Sequence, residues 1–306
     1  MFRTLKFVAV CLTLALASSA FAQQAGSKSQ AHPEDEKGFV SFAEFSGSAG
    51  SDGHVLSLNS AAGYNFTRHF GFDFGVPFFF VGGSSTTTTG TKTNFSGTGL
   101  GAPYVDVRWM FMRDNAPLNY KGSITGSFPV GDTSKGLSTG KFTFNWNNRF
   151  EHSFSHVTPF AEAGLGNTIA DTRKYHRPFL SYGDNGHVEG GVEFNLTDKF
   201  SVGGSAYDIL PWGTQTIYSR VLPKNSVGLV GKGNGKQVFT QNSVTTGTAD
   251  IAKDRGFSVF ADFTPAPIVS AEVGFTRSET MELNSVSFSL RFNIGSLTKK
   301  SASSHN

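Results

Sequence analysis

The chain has a single cysteine among its 306 residues, Cys11. This residue lies in an apolar stretch, 7–17, that follows the basic residues Arg3 and Lys6 and precedes the small residues of 18–22. A basic start, a short apolar run and an Ala-x-Ala pattern are typical of a secretory signal peptide, which we predict at 1–22. The rest of the sequence has no cysteine, which excludes a disulfide-stabilised fold and a thiolate metal site.

Long apolar runs and charge are also scarce. After residue 22 no apolar run approaches the roughly 20 residues that a membrane-spanning helix needs, which argues against a helical membrane protein. Charged residues make up 16% of the chain, below the usual quarter or so. The net charge is +3, of which Arg3 and Lys6 supply two, so we expect no nucleic-acid partner.

Glycine and phenylalanine are abundant, with 36 and 31 copies, and apolar residues recur at every second position. The clearest example is 69–81, where phenylalanine and valine occupy the even positions, and glycine, Asp73 and Pro77 occupy odd positions. A period of two places the two sets on opposite faces of a β-strand. About twelve such segments predict an all-β fold, a transmembrane antiparallel up-and-down β-barrel.

The connections between these segments differ in length. We expect short joins near 67–69, 112–118, 151–156, 197–199, 265–268 and 278–282, and longer ones near 46–54, 83–98, 129–140, 167–185 and 210–256. Short turns at one end and long loops at the other are typical of outer-membrane barrels, and they place both chain termini in the periplasm. The predicted organisation is a signal peptide at 1–22, a flexible periplasmic segment at 23–37, the barrel at 38–294 and a flexible tail at 295–306.

Charged residues of both signs share the parity opposite to the apolar residues. In a closed barrel of twelve strands this parity faces a lumen wide enough for water, where charges are tolerated. The predicted lumen-lining residues are Glu44, Asp73, Asp106, Arg108, Lys121, Lys141, Arg149, Glu162, His187, Glu189, Glu193, Asp262, Glu272 and Arg291.

Aromatic residues recur on the outward parity near the short joins, where a membrane–water boundary would favour them. The predicted girdle consists of Phe66, Phe70, Phe111, Tyr120, Phe150, Phe194, Phe200, Phe263 and Phe292. Pro77, Pro103 and Pro159 fall inside predicted strands, where each lacks a ladder donor, so we expect either bulges there or strand boundaries that differ by a few residues. Asn148 lies on the outward parity, and we expect it near the periplasmic rim.

Two stretches resemble a known family. The glycine-rich 97–101 leads into the strand 104–111, and 124–132 (ITGSFPVGD) ends a strand in a Pro-x-Gly-Asp turn. These resemble the outer-membrane family named for the MetA pathway of phenol degradation, although Ala102 replaces that family's usual acidic residue. The resemblance implies a twelve-stranded barrel that acts as a channel for small, apolar or aromatic molecules.

The leading hypothesis is a passive outer-membrane channel or transporter, with 211–255 covering the mouth or folding into the lumen. The alternatives are a plugged structural or adhesive barrel that displays loops and an outer-membrane hydrolase. We expect no enzyme. His152 and His156 flank Ser153 and Ser155, but in a short turn at the wrong end of the barrel, and His176 and His187 lack a convincing serine and orienting partner. Asp171, His176 and Asp184 could bind a cation, but solvated loop charges are the simpler reading, and no cofactor is predicted. Expected partners are outer-membrane lipids, the barrel-assembly machinery of a Gram-negative bacterium and a small solute.

Overall fold

A computed structural model describes residues 37–86, 92–111, 118–222 and 238–294. The predicted signal peptide, nearly all of the predicted lead-in 23–37 and the tail 295–306 lie outside the described residues. Within those residues, no helix combines the length and the apolar character needed to span a bilayer. The strands are β1 (Gly38–Gly50), β2 (Gly53–Thr67), β3 (Phe70–Thr86), β4 (Lys92–Leu100), β5 (Tyr104–Phe111), β6 (Asn119–Ser127), β7 (Thr143–Glu151), β8 (Val157–Gly166), β9 (Phe179–Tyr182), β10 (Asn185–Thr197), β11 (Phe200–Pro211), β12 (Gln215–Ser219), β13 (Val244–Gly247), β14 (Asp254–Ala266), β15 (Val269–Ser278) and β16 (Leu283–Asn293).

Twelve of these strands close into an antiparallel barrel, as the sequence predicts. The ring runs β1-β2-β3-β5-β6-β7-β8-β10-β11-β14-β15-β16, and β16 pairs back onto β1. Closure gives every barrel strand two neighbours, so that no backbone edge faces lipid. The other four strands lie outside this ring. β4 pairs with one part of β3, and β9, β12 and β13 form a separate small sheet.

Two of the three strand prolines mark a change of partner in β3. The first half of β3 pairs with β5, and the second half pairs with β4. Pro77 lies at the switch, where its carbonyl accepts from the Gly101 backbone N–H at 2.9 Å. Pro103 lies between β4 and β5, outside both strands, so its lack of a backbone N–H removes no hydrogen bond from the sheet. Pro159 lies near the turn that joins β7 to β8, and the His152 N–H bonds its carbonyl.

The two ends of the barrel differ. At the short-turn end, which also carries residues 37 and 294, turns such as 68–69 and 198–199 join neighbouring strands. At the long-loop end lie the connections 128–142, 167–184 and 212–253. The expectation of a long loop near 46–54 is wrong, because β1 and β2 stay paired from Gly50 to Gly53 and leave a two-residue turn.

The outward face is apolar and the inward face is polar. Large apolar side chains on the outer surface remain exposed, for example Phe74 at 47% and Val259 at 50%. The nine predicted girdle aromatics occupy outward positions near the short-turn end, and five of them form part of a contact row, Phe66–Phe70 and Phe111–Tyr120–Phe150. Asn148 lies beside this row and accepts from the Tyr120 hydroxyl at 2.7 Å.

Candidate functional site in the barrel lumen

The pairing of the strands places the predicted lumen residues on the inner surface of the barrel. All of them except Lys141 lie on inward positions of barrel strands, where they alternate with the exposed apolar residues. Lys141 precedes Thr143, the first residue of β7, and is exposed. The prediction that Lys141 lies within a strand is therefore wrong. The alternation continues through 142–151, but the β6–β7 ladder begins only at the Ser127–Thr143 pair. That these residues line a route for solutes stays a prediction.

Three pairs of carboxylates lie directly opposite each other across neighbouring strands. They are Asp73 and Asp106, Glu162 and Glu189, and Asp262 and Glu272. Like charges in this arrangement repel each other and destabilise a sheet unless cations or hydrogen bonds compensate.

The cations and hydrogen-bond donors that offset this repulsion differ among the three pairs. Arg108 contacts Asp73, and the Thr125 hydroxyl donates to Asp106 at 2.5 Å. Arg149 lies 3.9 Å from Glu162. Glu272 is 5% exposed, yet its Oε1 atom has no hydrogen-bond partner. Strands β8, β10, β14 and β15 therefore bring four carboxyl groups together, those of Glu162, Glu189, Asp262 and Glu272.

A stretch between β8 and β9, residues 167–178, enters the lumen and is called here the lumen segment. Its Arg173 reaches β1, β15 and β16 on the opposite side of the ring from β8. The Arg173 guanidinium lies 3.4 Å from the Glu44 carboxylate and donates to the Ser289 hydroxyl at 3.2 Å and the Ser270 hydroxyl at 3.4 Å. The segment thus crosses the barrel interior.

His176 holds the same segment to β1, and Arg177 holds it to β14. The His176 backbone N–H donates to the Ser48 hydroxyl at 2.8 Å, and its Nε2 lies 2.9 Å from the Ser46 hydroxyl. Arg177 lies 3.8 Å from Asp254 on β14 and donates to the Ala170 carbonyl at 3.0 Å. Side chains on both sides of Lys174 therefore anchor the segment.

Asp171 connects the lumen segment to the loops above it. Its carboxylate accepts from the Arg220 guanidinium at 2.6 Å and from the Arg177 backbone N–H at 3.0 Å. Burial by itself raises the pKa of the Asp171 carboxyl, but the Arg220 guanidinium and His176 outweigh this and hold that pKa below its ordinary value. Asp171 is therefore engaged by an arginine, and it is not available to the cation site considered with His176 and Asp184.

The long-loop end carries a packed unit, residues 179–182, 212–222 and 238–253, called here the cap. Strands β9, β12 and β13 form its sheet, and Phe179 stacks on Phe239 with ring centroids 5.0 Å apart. Its apolar core continues onto inward barrel residues Ile209 and Leu283. Arg220 is 1% exposed and lies over the Phe79 ring at 4.7 Å. The expectation that 211–255 covers the mouth holds for its described part, whereas the lumen is crossed by 167–178, for which the sequence predicts a loop.

Ser46, His176 and Asp171 have the connectivity of a catalytic triad, which the sequence analysis did not find. The geometry is incomplete, since His176 Nδ1 lies 3.6 Å from Asp171 Oδ2 and makes no hydrogen bond. Ser46 is 2% exposed, so its hydroxyl is out of reach of a substrate. The contact therefore anchors the segment to β1. His152 packs edge-on against Phe154 at the short-turn end, and the His187 ring forms a hydrogen bond with the Asn147 side chain.

Lys174 points away from the anchored side chains toward two inward aromatic rings. Its Nζ atom lies 3.4 Å from the centroid of the Phe260 ring on β14 and 5.5 Å from that of Phe160 on β8. Both rings lie beside cross-strand glycines, Gly203 and Gly191, where a Cβ would collide with them. The sequence offered a signal for this stretch, since 171–177 (DTRKYHR) carries four basic side chains in a loop without glycine.

Comparison with known proteins supports the fold. An outer-membrane channel from Pseudomonas putida F1 superposes with a TM-score of 0.55 at 9% identity, over 88% of this chain and 99% of that chain. The NanC porin and the KdgM porin in complex with disordered oligogalacturonate each cover 82% of this chain and 98% of their own, at 7% and 6% identity and TM-scores of 0.44 and 0.46. No family model and no curated protein matches the sequence, so the resemblance to the MetA-pathway family stays a prediction. This chain, a barrel of twelve strands, thus has the overall fold of that outer-membrane channel.

Proposed function

We propose that this protein is a passive outer-membrane channel for small solutes, whose passage the lumen segment limits. The observation that carries the proposal is a charged interior in which some side chains remain exposed. Arg173 and Lys121 side chains within the barrel are 37% and 39% exposed although they lie inside a closed ring of strands. A side chain in a dry core would not keep such exposure, and a water-filled lumen explains it.

The wall chemistry suits small molecules that combine an apolar body with a polar group. Inward rings alternate with charges: Arg291 lies 3.7 Å from the Phe42 ring centroid, and Arg149 lies 3.8 Å from that of Phe160. Such surfaces contact a planar or aliphatic body and pair with its polar group. This agrees with the small apolar or aromatic solutes that the family resemblance implies.

Conductance across planar bilayers tests the channel. The refolded chain 23–306 is compared with a variant in which 170–177 is replaced by Gly-Ser repeats of equal length. We expect discrete current steps from the unaltered chain and larger steps from the variant. An unaltered chain that passes no current, and that gives no swelling of solute-loaded liposomes, contradicts the channel.

A plugged structural barrel is the second candidate, because the cap has a packed apolar core that continues onto inward residues of the barrel. Phe179, Ile217 and Phe239 are each 1% exposed, a degree of packing that a loosely folded loop does not reach. A silent unaltered chain together with a conducting Gly-Ser variant would favour this candidate.

We also propose that the short-turn end faces the periplasm, as the loop lengths predict. Residues 23–306 contain no cysteine, so a single introduced thiol reports its own side of the membrane. On intact cells, a membrane-impermeant maleimide should label Thr248→Cys in the cap and leave Lys199→Cys in a short turn unlabelled. The reverse pattern contradicts the orientation.

A further inference from the structure

We propose that the lumen contains a binding site for a small organic ammonium ion and that the Lys174 side chain occupies this site as a tethered ligand. The inference deepens the proposed channel function by naming a solute class. The site is formed by two rings, Phe160 and Phe260, and two carboxylates, Glu162 and Glu272. It is called here the ammonium site.

The rings supply the first part of the recognition. An ammonium ion over an aromatic face within about 6 Å of the centroid is attracted by the ring quadrupole. Lys174 Nζ satisfies this condition for both rings, at 3.4 and 5.5 Å. Because glycine stands opposite each ring, at Gly191 and Gly203, the rings have room to lie against the wall at these positions.

The carboxylates supply the second part. Glu162 is two residues from Phe160 on β8, and Glu272 lies across from Asp262, two residues from Phe260 on β14. Both carboxyl groups therefore lie next to a ring that Lys174 contacts. Its ammonium nevertheless makes no ion pair within 4.0 Å to any residue that the structure describes, and Glu272 Oε1 is buried and unpartnered. The site therefore has unused capacity for a positive group.

The anchoring of the lumen segment makes the site separable from its occupant. Arg173 and His176 hold the segment to β1, β15 and β16, and Arg177 and Asp171 hold it to β14 and to the cap. Removal of the Lys174 side chain leaves these contacts in place. Near the two rings, Arg149 lies 3.9 Å from Glu162, and Arg173 lies 3.4 Å from Glu44 on the opposite side of the lumen segment.

Calorimetry on folded, detergent-solubilised protein tests the site, with n-butylammonium as the probe because it reproduces the lysine side chain. We expect Lys174→Ala to bind n-butylammonium at least about tenfold more tightly than the unaltered chain does, the ratio expected for one desolvated cation–ring contact. Neutral 1-butanol and anionic butyrate should not bind. Retained barrel structure is checked by heat-modifiable migration in gels.

The matched control is Lys121→Ala, which removes a lumen cation that pairs with Glu151 at 3.4 Å and makes no contact with either ring in the described part of the chain. Equal binding of n-butylammonium by both alanine variants would show a general charge effect and overturn the proposal. So would the absence of binding by folded Lys174→Ala. A second variant, Gly203→Val in the Lys174→Ala background, displaces the Phe260 ring and should abolish binding; undiminished binding also overturns the proposal.

Failure of this site and failure of the channel have different signatures. Calorimetry does not depend on conduction. Binding of n-butylammonium by a protein that passes no current would therefore contradict the channel and support the ammonium site. Normal conduction without ammonium binding removes the site and keeps the channel.

Discussion

The Arg220 guanidinium and the Asp171 carboxylate meet at 2.6 Å and join the cap to the lumen segment. Arg220 comes from the end of β12 and Asp171 from the stretch that crosses the barrel, 49 residues apart in sequence. Because both groups are largely withdrawn from water, this ion pair makes the position of one element depend on that of the other.

Substitution Arg220→Met should release the lumen segment. Removal of one partner of a buried ion pair leaves the other charge uncompensated and costs about 3–5 kcal/mol. We expect larger conductance steps and trypsin cleavage after Arg173 or Lys174, which the folded chain resists. The control is Arg277→Met, whose partner Glu279 is 52% exposed and whose loss should leave both readouts unchanged. Unchanged conductance and protease resistance in Arg220→Met would show that the pair does not hold the segment.

The same ion pair predicts a response to acid. Burial alone raises the pKa of the Asp171 carboxyl, but Arg220 and His176 bring that pKa below its ordinary value. A carboxyl with a lowered pKa in the folded state stabilises that state above its unfolded pKa of about 3.9, and the contribution is lost as pH falls through the folded pKa. The segment should therefore stay seated from pH 7 to about pH 4 and loosen only below.

Conductance recorded between pH 7 and pH 3 checks this expectation. In Arg220→Met the main cause of the lowered pKa is removed, so the change should move to higher pH. Asp171→Asn has no carboxyl at this position and should lack the transition. A transition at the same pH in all three proteins would assign it to another group.

The cap should unfold separately from the barrel. Phe239→Ala removes a ring that is 1% exposed and stacks on Phe179, a loss of about 3–5 kcal/mol in a packed core. We expect protease cleavage within 238–253 while heat-modifiable migration of the barrel is retained. Phe263→Ala, an outward residue at the short-turn end, should leave the cap resistant. Loss of the barrel in Phe239→Ala would contradict the independence of the two units.

The outer aromatic row should stabilise the barrel in lipid. Tyr120 stacks between Phe111 and Phe150, accepts from Trp109 Nε1 at 2.9 Å and donates to Asn148 at 2.7 Å. Tyr120→Phe removes the two hydrogen bonds and should cost about 1–2 kcal/mol. Tyr120→Ala also removes two ring contacts, each worth about 0.5–1.5 kcal/mol, so its loss should be larger. Urea unfolding in liposomes, followed by tryptophan fluorescence, measures both variants; equal stability of all three proteins would refute the role of the row.

The amino-acid sequence by itself determined the barrel. A side-chain period of two needs no knowledge of the fold, because successive residues of any strand point to opposite faces. Asp73, Glu162 and Arg291 therefore occupy the alternate positions that face the lumen, whatever the order of the strands in the ring. Outward aromatics near short joins, such as Phe66 and Tyr120, followed from the same rule. The prediction that Lys141 lies within a strand was wrong, because the alternation alone does not show where the hydrogen-bonded ladder begins.

The path of the long loops was decided only by the tertiary structure. Residues 167–178 have no periodicity, and their position follows from partners distant in sequence: Ser46 and Glu44 on β1, Asp254 on β14 and Arg220 in the cap. Contacts between residues more than 100 positions apart, such as Ser46 with His176, leave no trace in local patterns. Closure of the ring brings β1 across from β8, and only that closure gives Arg173 a wall to reach and Lys174 two rings to contact.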